Sequence, residues 1–292
     1  MSASPRKTAV GPQALPALRS LYLRALATAR GRRGDRLPEI AEERQDLGID
    51  REQLGRYQDV CGFRQGDVLP LTYPHVMAFP VAVAIMVDPA FPFALPGLVH
   101  IANRIEQMRP IGAAEPLTVR VRATNLRDHP RGRQFDMVTE VRINDQGVWS
   151  ETSTYLRRER RSSSSRPASE APRNDTPPSA IWRIPADAGR RYAAVSGDVN
   201  PIHLNPLAAR LFGFPRAIAH GMWLKAHCLS ALEGRLGDTV TAEVEFKSPL
   251  LLPSTVAFRS RAEDGHWLIS VAHAASGRPH LIGRIGVKPP RV

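Results

Sequence analysis

The sequence predicts an α+β chain built as an internal duplication, and three observations carry that reading. Two segments, Pro74 to Asp88 and Gly221 to Leu236, read as buried helices; the first is apolar on nearly every face. Each is followed by several runs with the alternating pattern of strands. The halves also echo each other: Ile105-Glu-Gln-Met-Arg-Pro-Ile aligns with Val244-Glu-Phe-Lys-Ser-Pro-Leu at an offset of 139 residues, and Leu117-Thr-Val-Arg-Val parallels Ser254-Thr-Val-Ala-Phe at nearly the same offset. Periodicity alone establishes only an α+β duplication.

Taken in order, Met1 to Gly34 carries seven basic residues and no acidic one. Leu15, Leu18, Leu21, Tyr22, Ala25 and Leu26 recur at helical spacing, which predicts an amphipathic helix over Leu15 to Arg30. Three readings compete for it: a helix packed on the body, an organelle transit peptide, and a membrane-surface helix. Asp35 to Gly66 is charged and mixed, with a capped helix start at Ile49 to Leu54, Asp50 as cap and Gln53 as its box partner. Pro80 falls in the first apolar segment, either in its first turn or as a kink. Strands are expected at Leu98 to Met108, Leu117 to Asn125, Phe135 to Ile143 and Val148 to Leu156.

Arg157 to Ser179 lacks the apolar residues needed to pack and reads as a linker between the halves. After it come Ile181 to Ile184, a loop carrying the most distinctive motif of the chain, a short helix near Pro206 to Phe212, and the second buried helix. Strands are expected at Val240 to Lys247, Thr255 to Ala262, Trp267 to Ala274 and Leu281 to Val287. The expected organisation is a helical, basic extension over 1–60, a first half over 61–157, a linker over 158–179 and a second half over 180–292.

Hydrophobic content of 42% supports a real core, and no apolar run approaches the length of a membrane span. The N-terminus lacks an apolar h-region, so no signal peptide is expected. Cys61 and Cys228 fit no metal spacing and imply no disulfide framework, so a reducing cytoplasm is the expected setting. No Gly-rich phosphate loop or dinucleotide fingerprint calls for a cofactor. The net charge of +12 favours anionic partners: CoA phosphates, an acidic carrier protein or nucleic acid. The last fits poorly, because basic stripes interleaved with aromatics are missing. Arg157 to Arg161 reads as solvated linker, with contact to carrier protein or CoA phosphates as the alternative, and Trp149, Trp182, Trp223 and Trp267 read as core or tunnel wall.

The motif stretch is Tyr192 to His203, Y-A-A-V-S-G-D-V-N-P-I-H, followed by His220-Gly221-Met222. Asp198 and His203 stand five apart, the wrong spacing for one helix face. Pro201 pushes Asn200 toward extended backbone and Gly197 permits a turn. The stretch is therefore expected to be a shaped loop in which a carboxylate and an imidazole converge. Such a pair, flanking one water, can move a proton to or from carbon. Asp-x-Asn-Pro is equally ordinary turn and cap chemistry, and Asn205 to Arg210 looks like the cap and first turn of a short helix.

Tyr192, Ser196, Gly197, Asp198, Asn200, Pro201, Ile202 and His203, with His220, Gly221 and Met222, fill the ordered signature of the MaoC-like acyl dehydratases, which include the (R)-specific, type 2 enoyl-CoA hydratases. The chain resembles that family over roughly Ile181 to Ile285. The resemblance implies a double hot-dog fold, two halves each with a long central helix wrapped by an antiparallel sheet. It implies hydration of trans-2-enoyl thioesters, on CoA or acyl carrier protein, with Asp198 and His203 holding the water and sharing the proton transfers. Asn200 would orient that pair, Ser196 and Tyr192 would position substrate, and the Gly221 amide would serve as oxyanion donor. Gly197, Pro201, His220 and Met222 would support the motif, no metal or cofactor would be needed, and a homodimer is allowed. The first half lacks the motif, so His75 and His100 are expected to be structural or tunnel-lining, and the missing partner makes room for a long or bulky acyl chain. The alternatives are a hot-dog thioesterase, against which stands Glu233 as the sole carboxylate of the second helix, and a non-catalytic acyl-binding subunit.

Overall fold

The computed structural model describes residues 15–27, 32, 34–159 and 177–287. The first fourteen residues and residues 160–176, which include most of the expected linker and Arg160 and Arg161, lie outside that description. Among the described residues, ten strands form one antiparallel sheet. In chain order the residues before the expected linker contribute α1 (Leu18–Ala27), β1 (Ala41–Leu47), α2 (Arg51–Cys61), α3 (Tyr73–Val87), β2 (Leu98–Gln107), β3 (Leu117–His129), β4 (Gly132–Ile143) and β5 (Gln146–Arg158), so the expected 1–60 extension supplies an edge strand of the sheet. The second half contributes β6 (Ala180–Ile184), α4 (Ala188–Ser196), α5 (Pro201–Leu204), α6 (Pro206–Leu211), α7 (Gly221–Ser230), β7 (Val240–Phe246), β8 (Ser254–Glu263), β9 (His266–His273) and β10 (Pro279–Val287).

The sheet order is β1-β3-β4-β5-β2-β7-β10-β9-β8-β6. Read outward from the centre, β2 matches β7, β5 matches β10, β4 matches β9, β3 matches β8 and β1 matches β6. This is a pseudo-twofold arrangement, and the repeat seen in the sequence sits on its axis. Arg104 pairs in register with Glu243, the residue 139 positions later, and the two form an ion pair. The double hot-dog expectation holds: α3 and α7 are the two central helices.

Every residue of α3 except Ala84 is buried, including Pro80 inside the helix. No face of it could meet water without exposing apolar surface, so the sheet must wrap it. Helix α7 stops at Ser230 rather than reaching Leu236. The Ser230 hydroxyl donates to the His227 carbonyl at 2.9 Å, and the amides of Leu232, Glu233 and Arg235 reach back only three residues, so the chain tightens into short turns. Strand β1 was not foreseen. Its sequence, AEERQDL, is charged because it is an edge strand, and charge at an edge blocks pairing with other chains. Asp50 does cap α2, accepting from the amides of Glu52 and Gln53. The Gln53 side chain closes no capping box, however. It donates to the Val195 carbonyl at 3.1 Å, in the last turn of α4, and so ties the two halves together.

A buried polar network also joins the halves. Lys225 of α7 donates to the side chain of Asn103 in β2 and, at 2.9 Å, to the Ala242 carbonyl in β7. The Asn103 side chain meets Glu151 of β5, whose carboxylate lies 2.9 Å from Nδ1 of His75 in α3. Lys225 is fully buried, and burial pushes its amine down to about 7 despite the nearby Glu151. Trp149 and Trp223 are buried and donate to the carbonyls of Leu71 and Val60, while Trp182 and Trp267 pack partly buried against the core. Cys61 and Cys228 are buried and free.

Candidate active site

The motif stretch is half helix and half turn. Tyr192 and Ser196 lie in α4, not in a loop; the helix ends only where Gly197 takes φ +73° as a left-handed cap. The turn proper is Gly197 to Asn200. Its shape is held locally: the Ser196 hydroxyl accepts from the Asp198 amide at 3.2 Å, and the Asn200 amide donates to Oδ1 of Asp198 at 3.2 Å. The Asn200 side chain caps α5 through the Ile202 amide, with Pro201 at the first helical position. Asn200 therefore fixes both members of the pair, Asp198 through its backbone and His203 through the helix that carries it.

Nδ1 of His203 lies 2.8 Å from the Ile218 carbonyl. A carbonyl can only accept, so Nδ1 carries the proton and Nε2 is left with a lone pair. Nε2 of His220 lies 3.0 Å from the Asp198 carbonyl and 3.7 Å from Oδ2, so this nitrogen is protonated in turn and its Nδ1 is bare and buried. The two imidazoles stack with centroids 3.7 Å apart, and Tyr192 packs against His220 at 4.9 Å.

These contacts set the charge states. Burial drives His203 below the ordinary imidazole value, only partly offset by Asp198 and the Ile218 carbonyl, and burial with the neighbouring His203 drives His220 down to about 3. Burial opposes ionisation of Asp198, but the two histidines, a hydroxyl from Tyr22 and the Asn200 amide outweigh it and hold the carboxyl below its usual value. At neutral pH the site is a carboxylate beside two neutral imidazoles. Asp198, His203 and His220 also offer donor atoms within 4.8 Å of one another, the set a cation would need, although Nε2 of His220 is already committed to the Asp198 carbonyl.

All of this faces a cavity of about 680 Å³ between the halves. Gly221 opens α7 at its wall, and its amide is among those with no partner inside the helix. A Cβ there would stand 2.9 to 3.1 Å from the ring of Phe246, so any larger residue would have to push that ring aside. His75 and His100 line the first-half wall with Val76, Phe79, Met86 and Leu95. Arg127, His129, Arg131, Arg157, Arg158 and Lys247 line it as well, with Arg131, Arg158 and Lys247 exposed.

The MaoC like domain profile matches residues 160–269. The chain is 41% identical over 255 residues, 87% of its own length and 91% of the other's, to 3-hydroxyacyl-thioester dehydratase X of Mycobacterium tuberculosis. The chain belongs to the MaoC-like dehydratase family. A crystal structure of the Mycobacterium tuberculosis enzyme, HtdX, superimposes with a TM-score of 0.77 at 39% identity, covering 85% of this chain and all of that one. A MaoC-like dehydratase from Phytophthora capsici superimposes with a TM-score of 0.64 at 18% identity, over 86% and 95% of the two chains, a likeness of fold.

Among MaoC-like features the structure brings together Asp198, Asn200, His203, His220 and Gly221, as the motif spacing implies. Met222 is buried in the core. The sequence reading missed Tyr22, whose hydroxyl donates to Oδ1 of Asp198 at 2.7 Å. In the sequence Tyr22 stands among the apolar positions of the first helix. The overlooked signal was a polar tip on an otherwise aliphatic face, since a buried tyrosine hydroxyl usually has a partner.

Proposed function

We propose that this protein is a hydro-lyase that interconverts a trans-2-enoyl thioester and its (R)-3-hydroxyacyl form. The observation that carries the reading is the convergence of an ionised Asp198 with a neutral His203 whose Nε2 lone pair is left over, at the wall of a cavity large enough for an acyl chain. Two acceptors side by side hold one water by both of its hydrogens. The water adds its hydroxyl to the β-carbon as the pair takes up its proton, and a proton from the pair goes to the α-carbon. Positioned acid–base groups of this kind contribute about 10²–10⁴ in rate.

Negative charge that develops on the thioester oxygen would be met by the Gly221 amide at the positive end of α7. Ser196 and Tyr192, which line the cavity, would position substrate, Gly197 and Pro201 shape the turn, and His220 supports it by donating to the Asp198 carbonyl. We expect Gly221→Ala to fold and to lose about tenfold in kcat/KM, because the methyl group displaces Phe246 and the carbonyl with it. Steady-state kinetics beside a thermal melt check this.

The thioester would be carried on CoA or on an acyl carrier protein, whose phosphates suit the arginines along the cavity. Arg127 is partly committed to Asp136, and Arg131 and Arg158 are exposed arginines of the lining. The apolar first-half wall suits a long or bulky chain. Free buried cysteines accord with a reducing cytoplasm, and among the described residues no helix is long and apolar enough to cross a membrane. A thioesterase reading is less well supported, since Glu233 lies beyond the end of α7 and accepts from the Arg64 amide.

The test is loss of enoyl absorbance with purified protein across a panel of 2-enoyl-CoA chain lengths. Hydration is expected, best with the longer chains, with KM rising as salt screens the arginines. No hydration at any length, with tight salt-dependent binding to random duplex DNA, would overturn the reading.

A further inference from the structure

We propose that Tyr22, supplied by the N-terminal helix, is a positioning residue for Asp198 and makes that helix part of the catalytic unit. The proposal rests on Asp198 being the acid–base carboxylate. Its own basis is geometric. The Tyr22 hydroxyl donates to Oδ1 of Asp198 at 2.7 Å across 176 residues of chain, and Tyr22 itself lines the cavity. The Asn200 amide reaches the same oxygen at 3.2 Å. With two donors on Oδ1, the carboxylate is fixed in rotation, and Oδ2 is the oxygen turned over to the reacting water.

Helix α1 is held firmly enough to do this. Leu21 and Ala25 are buried in the common core, and Leu18 packs on Gly197 at the start of the catalytic turn. The helix thus touches the turn twice, once through Leu18 and once through Tyr22. Both contacts act on the residues flanking the Asp198 backbone or on its side chain. The hydroxyl also stays a donor, since burial and the adjacent Asp198 push its ionisation well above the ordinary phenol value. The titratable groups that face Asp198 are Tyr22 from α1, Tyr155 from β5, Tyr192 from α4, His203 from α5 and His220 before α7. Of these, Tyr22 is the one whose side chain hydrogen-bonds to the carboxylate directly, and a donor to a carboxylate favours its ionised form.

The experiment is Tyr22→Phe in the full chain, which keeps the ring and removes the hydroxyl, measured for kcat and KM across pH with Asp198→Asn beside it. The expected result is a kcat lower by about tenfold or more with KM little changed. The acid limb of kcat should also move to higher pH, because the carboxylate has lost a donor that favoured its charged form. A kcat near that of wild type, or a lower kcat with an unmoved acid limb, would overturn the proposal; the second outcome means that Tyr22 only packs. Near-normal activity of Asp198→Asn would instead remove the acid–base reading on which the proposal rests. Should the phenylalanine variant not fold, 3-fluorotyrosine at position 22 carries the test, since it keeps size and hydroxyl while strengthening the donor. The acid limb should then move to lower pH, and an unmoved limb would overturn the proposal.

Discussion

Asp198→Asn and His203→Ala should each lower turnover by at least about a hundredfold while the protein stays folded. Asp198→Asn keeps the shape of the turn and the acceptor for Tyr22 but removes the negative charge that shares the water. His203→Ala removes Nε2, the lone pair left over once Nδ1 is spent on the Ile218 carbonyl. Neither loss should unfold the chain, because the turn is also held by Ser196, Asn200 and His220. The pH profile of the wild type follows from the same contacts. The working pair is a carboxylate with a neutral imidazole, and both groups are held below their ordinary values. Activity should therefore persist below the ordinary imidazole value and fall only as the pair takes up protons. Thermal melts, circular dichroism and kinetics over pH check all three statements, and a folded variant with near-normal turnover would contradict the assigned roles.

Removing the first half should be as damaging, although that half carries no acid–base motif. We expect a fragment starting near Ser179 to be insoluble or inactive, and co-expression of Met1 to Arg166 with it to restore activity. Strand β7 would lose its partner β2 and become an open edge at what is now the centre of the sheet. Lys225 would lose Asn103 and keep only the Ala242 carbonyl of β7, so the polar network that joins the halves would be broken. Tyr22 and the His75 wall would be gone from the cavity. A soluble, monomeric and fully active second half would mean that the first half has a separate task. Titration with a tight substrate analogue should find one site per chain, and two equivalent sites would contradict the division of labour.

What the sequence makes legible is what local rules govern. The apolar surround of α3, the alternating strands and the repeat across Arg104 and Glu243 each state their structure directly. The motif brings Asp198 and His203 together because Gly197, Asn200 and Pro201 are turn and cap residues with a mechanism. What stayed hidden depends on distant contacts. Strand β1 is too charged to read as a strand without knowing that it lies at an edge. Gln53 looked like a box partner because Val195, which takes its amide, is 142 residues away. Lys225 gave no hint that it is fully buried, since its partners come from β2 and β7. Tyr22 scored as one more apolar position, and only tertiary structure puts its hydroxyl on Asp198.

Incubation of wild type and Asp198→Asn, at equal concentration, with a long-chain trans-2-enoyl-CoA, followed by chiral separation of the products, tests the central claim most directly. The account predicts an (R)-3-hydroxyacyl-CoA from the wild type and almost none from the variant. Free acid and CoA released by the folded wild type, with no 3-hydroxyacyl product, would contradict it.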